Sequence, residues 1–349
     1  MADDNSAAQN QHEEAVAQSA WTLKNVFDEP TPSPEQVDLA INALAEQEAD
    51  EHPPTANLPE FHPPSPGFIV TSEATGITYV VGEFIGEGSF GAVFEAADEW
   101  QNKLAVKVLK PAGTFEEMHV AAYAEVQRLL HLRHPNVTYV YDAFVYRETF
   151  YIVTERCYRP LSVLLYQDWV DPSQWLTPLA RCLLQAVQYL HSSNFVHQDI
   201  HFGNVFISFV RSEMAVEGQA VTFKLGDLGI TKLAGEIDVQ NTRLNPSMFA
   251  PEALDPHQFG PLDHRMDLYH CGLLFLQLLA GRELSFTHQE ILDGAPRKLA
   301  ELLPEPYRTA ISKALRRHVG SRTQTAMELW RDLNPQPLDQ AQLEPGANV

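Results

Sequence analysis

Cysteine, basic residues and long apolar runs are all scarce in this chain of 349 residues, and each scarcity closes off a class of protein. The three cysteines, Cys157, Cys182 and Cys271, are scattered without C-x-x-C spacing and cannot all pair, which argues against a disulfide framework and makes a reducing, cytoplasmic location the simplest expectation. Lys plus Arg number 24 against 46 Asp plus Glu, a net charge of −22. That balance disfavours nucleic acid or an anionic membrane as a partner, since both demand a basic face. The longest apolar stretch, LYHCGLLFLQLLAG at 268–281, is too short to span a bilayer and follows directly on RMD, so it reads as a buried helix. The first residues, MADDNSAAQNQHEE, lack the basic start and apolar core of a secretory signal. The 14 histidines show no metal-site spacing.

What is present changes character along the chain. Residues 1–66 hold thirteen acidic residues and one basic residue, Lys24, so more than half of the net charge is concentrated there. Proline in DEPTPSP and HPPTANLPEFHPPSPG predicts an extended, mostly disordered segment. Within it, Ser33 and Gln36 form a capping box around Pro34, and Val37, Ala40, Ile41 and Leu44 recur at helical spacing, predicting a short helix over 34–49. This helix and WTLKNVF at 21–27 are candidate docking elements for an unnamed partner. Residues 67–156 read as short β-rich runs with one inserted helix, an antiparallel sheet. Residues 157–333 read as mainly helical, interrupted by a hairpin pairing NVFISF with AVTFKLGD, and 334–349 as a disordered tail. The expected class is α+β in two lobes, the smaller built on the sheet and the larger on helices.

Several short motifs point to phosphate. GEGSFGAV at 86–93 fits G-x-G-x-x-G-x-V and lies between two strand patterns, a placement that suits a glycine-rich flap over triphosphate better than a dinucleotide-binding turn. Sixteen residues past Gly91, LAVK places Lys107 in an apolar strand, where an ammonium is costly to bury unless a phosphate and a carboxylate offset it. Glu125, on a predicted helix with Val126, Leu129, Leu130 and Leu132, is the candidate carboxylate. Further along, HQDIHFGN at 197–204 and GDLG at 226–229 supply Asp199, Asn204 and Asp227, oxygen donors suited to a hard cation and to a reacting hydroxyl.

With HPN at 134–136, APE at 250–252, DLYHCG at 267–272 and Arg322 following in order, the chain over about 78–333 resembles the eukaryotic-type protein kinases. The resemblance implies ATP and Mg²⁺, with Mn²⁺ as a substitute, and a protein substrate. The flap of Gly86, Glu87, Gly88, Ser89, Phe90 and Gly91, with Val93 and Ala105, would cover the nucleotide. Lys107 would hold the α- and β-phosphates while paired with Glu125. Thr154, Glu155 and Cys157 of TERC would form the segment that meets the adenine. Asp199 would accept or orient the substrate hydroxyl proton, and Asn204 and Asp227 would bind the metal. Glu252 and Arg322 would form a buried structural pair, and Asp267 would brace the catalytic loop from beneath.

Three departures from the family pattern stand out. Gln198 replaces the arginine that commonly binds a phosphate on the activation segment, so activity is expected not to require phosphorylation there, at Thr231, Thr242 or Ser247. His201 stands where serine/threonine kinases commonly place a lysine against the transferring phosphoryl group, and a histidine carries at most part of that charge near neutral pH. Asn245 replaces the threonine that would contact that lysine and Asp199. The expected activity is transfer of the γ-phosphoryl group to a serine or threonine rather than a tyrosine. A pseudokinase scaffold and a small-molecule phosphotransferase, for which H-x-D-x-H-x-x-N is also a pattern, remain the alternatives.

Overall fold

Alternation of apolar and polar residues decides the first half of the fold. A computed structural model of the chain describes residues 61, 63–88, 91–110, 130–166, 172–211, 219–228, 232–233, 237 and 249–335. The expectations placed on Ser89, Phe90, Glu125, Thr231, Thr242, Asn245 and Ser247, on the helix at 34–49, on WTLKNVF and on the tail from 336 lie outside the described residues. The described residues fall into two compact units, which meet in sequence between Cys157 and Tyr158. One is built on a sheet and the other is mainly helical, the two-lobed α+β class expected.

In the first unit six strands, β1 (Ile69–Thr71), β2 (Thr78–Gly88), β3 (Gly91–Asp98), β4 (Lys103–Leu109), β5 (Val140–Tyr146) and β6 (Thr149–Glu155), form one antiparallel sheet in the order β1-β2-β3-β4-β6-β5. Successive side chains point to opposite faces of a strand, so Ala92, Phe94 and Ala96 of β3 and Leu104, Val106 and Val108 of β4 share one buried face with Val81, Phe144, Tyr151 and Val153. The alternate residues of β3 and β4 share the other face, and the predicted nucleotide-contacting residues of these strands fall there. Two register shifts bend β2 between Val81 and Gly86, just before the glycine-rich turn.

In the second unit the short strand β7 (Arg159–Pro160) is followed by α1 (Leu176–Ser192), whose face of Leu176, Leu179, Ala180, Leu183, Leu184, Ala186, Val187 and Leu190 is buried. Strand β8 (Phe195–Val196) leads into the loop at 197–204. The predicted hairpin follows as β9 (Val205–Arg211) and β10 (Gln219–Leu225), in register from Val205 with Leu225 to Arg211 with Gln219. Strand β11 (Lys232–Leu233) pairs back onto β8. Two single-turn helices, α2 (Pro251–Leu254) and α3 (Pro256–Phe259), precede α4 (Arg265–Ala280), and α5 (His288–Leu292), α6 (Ala295–Ala300), α7 (Tyr307–Ala314) and α8 (Ala326–Leu333) complete the unit.

Helix α4 is the apolar run singled out in the sequence. Every residue from Met266 to Leu278 is buried, which explains why it shows almost no polar side. It ends where Gly281 takes a left-handed φ of 66° and donates its N–H to the carbonyls of the last turn. Among the described residues no helix is long and apolar enough to cross a membrane.

Candidate active site

The sheet unit assembles the residues expected at the nucleotide. Val93 of β3 stands directly opposite Lys107 of β4, Lys107 opposite Ile152 of β6, and Ala105 opposite Thr154. These pairings put Val93, Ala105, Lys107 and Thr154 on the face away from the buried core, with Lys107 half-buried. The Thr154 hydroxyl donates to the carbonyl of Ala105 at 3.5 Å, which ties the two small residues together. Glu155 donates its N–H to the carbonyl of Tyr139, 2.8 Å away. Gly88 pairs with Gly91, and Gly86 with Val93. Glu87 forms an ion pair with Lys110 at 2.7 Å.

Gly91 has a steric reason to be glycine. A Cβ there would lie 2.3 Å from the carbonyl oxygen of Val108 and 3.1 Å from Cα of Leu109, both backbone atoms of the neighbouring strand. The motif glycine thus sets how closely β3 approaches β4 at the end that carries Lys107.

The helical unit assembles the loop chemistry around one buried carboxylate. Asp267, at the first turn of α4, is fully buried. Its Oδ1 accepts from the backbone N–H of Gln198 at 2.8 Å, and its Oδ2 accepts from the N–H of His197 at 2.8 Å and meets Nε2 of His191 at 2.8 Å. Burial works against the charged form, but the bond from His191, its field and the His197 contacts outweigh burial and hold the Asp267 pKa below its ordinary value. Asp267 therefore braces the loop by its backbone. Gln198 is held at a left-handed φ of 71°, a conformation that a side chain with Cβ adopts at a cost.

His197 carries the brace onward. Its Nδ1 accepts from the N–H of Asp199 at 3.3 Å, which leaves the proton on Nε2, 3.0 Å from the carbonyl of Gly226. The N–H of Gly226 in turn donates to the carbonyl of Asn204 at 2.8 Å. The residue next in the chain, Asp227, is exposed and also has a left-handed φ, of 50°. His197 and His191 were not singled out from the sequence. His191 lies 76 residues from Asp267, with no local pattern to connect them, whereas His197 sits inside the H-x-D motif and was open to notice.

Asp199 is the centre of this cluster. Nδ2 of Asn204 donates to both the carbonyl oxygen and Oδ2 of Asp199 at 2.9 Å. Nε2 of His201 lies 3.4 Å from the same Oδ2. Oδ1 of Asp199 is buried and has no hydrogen-bond partner among the described residues. Burial raises the pKa of this carboxyl, but the hydrogen bond from His201 and the fields of His201 and His197 outweigh it and leave the pKa below the ordinary value. Asp199 is thus an ionised acceptor whose other oxygen is held from two sides.

The pair expected from APE and the distal arginine also forms. Glu252 and Arg322 meet through two bonds, Nη1 to Oε1 at 2.6 Å and Nη2 to Oε2 at 2.7 Å, with both side chains fully buried.

A search against known families matches the protein kinase domain to residues 79–329 of this chain. The chain belongs to that family. Among curated proteins it is similar to the RAF proto-oncogene serine/threonine-protein kinase of Xenopus laevis, 29% identical over 212 residues, which is 58% of this chain and 31% of the relative. Serine/threonine-protein kinase ppk16 of Schizosaccharomyces pombe is 28% identical over 233 residues, 63% of this chain and 32% of the relative. Serine/threonine-protein kinase TIO of Arabidopsis thaliana is 27% identical over 214 residues, 60% of this chain and 15% of the relative. The kinase domain here therefore corresponds to about a third or less of each of these relatives.

Proposed function

We propose that this kinase domain transfers the γ-phosphoryl group of ATP to a serine or threonine hydroxyl of a protein, with Mg²⁺, and does so without phosphate on its activation segment. The observation that carries the reading is Asp199: an ionised carboxylate with Oδ2 anchored by Asn204 and Oδ1 lacking a described partner. Such an acceptor suits a hydroxyl that must lose its proton as the phosphoryl group arrives.

The residues suit the cofactors as well. The amide nitrogen of Asn204 is committed to Asp199, so its oxygen is what it offers to a cation, and Asp227 adds a carboxylate at an exposed position. Two hard oxygen donors match Mg²⁺, which draws its remaining ligands from water and phosphate. Bound Mg²⁺ would neutralise phosphate charge. On the sheet unit, the close backbone approach at Gly91 and the shared face of Val93, Ala105 and Lys107 favour a nucleotide, with Lys107 as the fixed cation for its phosphates.

The names of the relatives favour serine/threonine over tyrosine. Independence from activation-segment phosphate rests on Gln198, whose backbone is anchored by Asp267 and whose amide lacks the charge that would bind a phosphate. The test is transfer of label from ATP to a mixture of serine- and threonine-containing peptides by purified, phosphatase-treated protein. We expect Mg²⁺-dependent transfer that Asp199→Asn lowers by about a hundredfold or more. Equal labelling by wild type and Asp199→Asn, or none by either while ATP still binds, would sink the reading.

A further inference from the structure

His201 has a different job from the lysine it replaces. Its Nδ1 accepts from the backbone N–H of Gly203 at 3.0 Å. A ring nitrogen that accepts carries no proton, so the proton of a neutral imidazole sits on Nε2, the atom 3.4 Å from Oδ2 of Asp199. The carbonyl of His201 also accepts from the N–H groups of Asn204 and Val205, so both its backbone and its ring close the same turn.

The neighbouring glycine is shaped to this arrangement. A Cβ at Gly203 would stand 2.8 Å from Cε1 and 3.1 Å from Nδ1 of His201, and beyond its own chain neighbours no other described residue comes within 4 Å of it. The φ of Gly203 is not in the left-handed region, so the backbone does not demand glycine there. The imidazole is the obstacle.

We propose that His201 is a positioning residue, a clamp whose Nδ1 accepts from the Gly203 N–H and whose Nε2 is thereby presented to the Asp199 carboxylate, with Gly203 kept bare to admit the ring. The proposal rests on the kinase reading for its functional consequence, but not for the hydrogen-bond pattern itself. It predicts that the useful property of this side chain is an acceptor at one end of a flat ring and a nitrogen presented to Asp199 at the other.

Substitutions separate the two ends. Gln places an N–H near the site of Nε2 and keeps the donor to Asp199. Asn is too short for that contact, but its oxygen suits acceptance from the N–H two residues on, keeping the Gly203 contact. In the full-length protein, with ATP, Mg²⁺ and the serine/threonine peptide mixture, His201→Gln should keep kcat within about threefold of wild type. His201→Asn should lose about tenfold or more, the scale of one lost hydrogen bond to a charged group. The KM for ATP should stay within about twofold in both, because the clamp contacts no nucleotide group in this reading. His201→Lys should do no better than His201→Gln. Gly203→Ala should lower kcat in the wild type, and add little in the His201→Asn background, where no ring remains to collide.

A tautomer measurement gives a second readout free of activity. Ring nitrogen shifts of ¹⁵N-histidine-labelled protein, assigned by comparison with His201→Gln, should show Nδ1 of His201 as the nitrogen without a proton, the acceptor of the Gly203 N–H. A proton on Nδ1 would overturn the proposal, as would His201→Lys exceeding wild type in kcat or His201→Asn matching His201→Gln. Absence of Asp199-dependent transfer in the wild type would instead overturn the kinase reading, and the nitrogen shifts would still decide the clamp.

Discussion

Replacing Arg322 with methionine tests how the helical unit is held together. The guanidinium has five N–H groups and all are used: two on Glu252, and one each on the carbonyls of Arg316, Arg265 and Arg317 at 3.0, 3.0 and 3.2 Å. Its carbon also lies 4.9 Å from the ring centre of Tyr269. Methionine fills most of the volume but leaves the Glu252 carboxylate fully buried without a counter-charge. Removing one partner of a buried pair costs about 3–5 kcal/mol, and the carbonyls left bare add to it. Against a typical total of about 5–15 kcal/mol, that is a large fraction of the stability. Urea unfolding of the full chain, followed by tryptophan fluorescence, measures it. The double variant Glu252→Leu with Arg322→Met removes both charges and should cost less than the sum of the two singles by about 2 kcal/mol or more. If Arg322→Met fails to fold, Arg322→Lys serves in its place, keeping the charge and losing the fork, with an expected loss of about 1–3 kcal/mol. A single-variant loss below about 1 kcal/mol, or strict additivity in the double, would refute the pair as a structural element.

Two further outcomes follow from single positions. Gly91→Ala would set a Cβ 2.3 Å from the Val108 carbonyl, so β3 and β4 must separate locally; nucleotide affinity, read by isothermal titration with ATP and Mg²⁺, should fall about tenfold or more, and unchanged affinity would refute the close approach. His270 on α4 is buried, and burial holds its pKa below 6.5 against the pull of Asp267 and Asp199, so below about pH 6.5 the unfolded chain takes up a proton that the folded chain refuses. Stability should therefore fall as pH drops from there, by up to about 1.4 kcal/mol per pH unit, and His270→Leu should flatten that limb; the same acid slope in wild type and variant would count against it.

The parts legible in the sequence were those written in periodicity or in fixed-spacing motifs. The β-rich runs GAVFEAAD and KLAVKVL were legible as strands, and the motifs grouped Val93 with Lys107; that the two share a face is set by the pairing of β3 with β4, which neither strand displays alone. The apolar run at 268–281 showed a buried helix, and the structure ends it at Gly281. The elements left unread carry no period at all. Strands of two residues, such as β7, β8 and β11, and the single-turn helices α2 and α3 are set by tertiary pairing, and two residues cannot display alternation. The register shifts in β2 were equally invisible, since a bulge is a property of the pair and not of either strand.

The loop at 197–204 shows most sharply where reading a motif stops. Gln198 and His201 look alike as departures, each a neutral or weakly basic residue in place of a cation, yet the structure anchors them at different levels. At position 198 the left-handed backbone is held by a main-chain N–H to Asp267, a bond available to any side chain, so exchange of arginine for glutamine leaves the loop's course intact. At position 201 the ring itself makes the contacts, one to a backbone N–H and one toward the Asp199 carboxylate, and the glycine two residues on is cut to fit it. A change at 198 therefore acts on what the loop can bind, whereas a change at 201 acts on where Asp199 points, and the fall in kcat at constant KM expected for His201→Asn is the measurable form of that distinction.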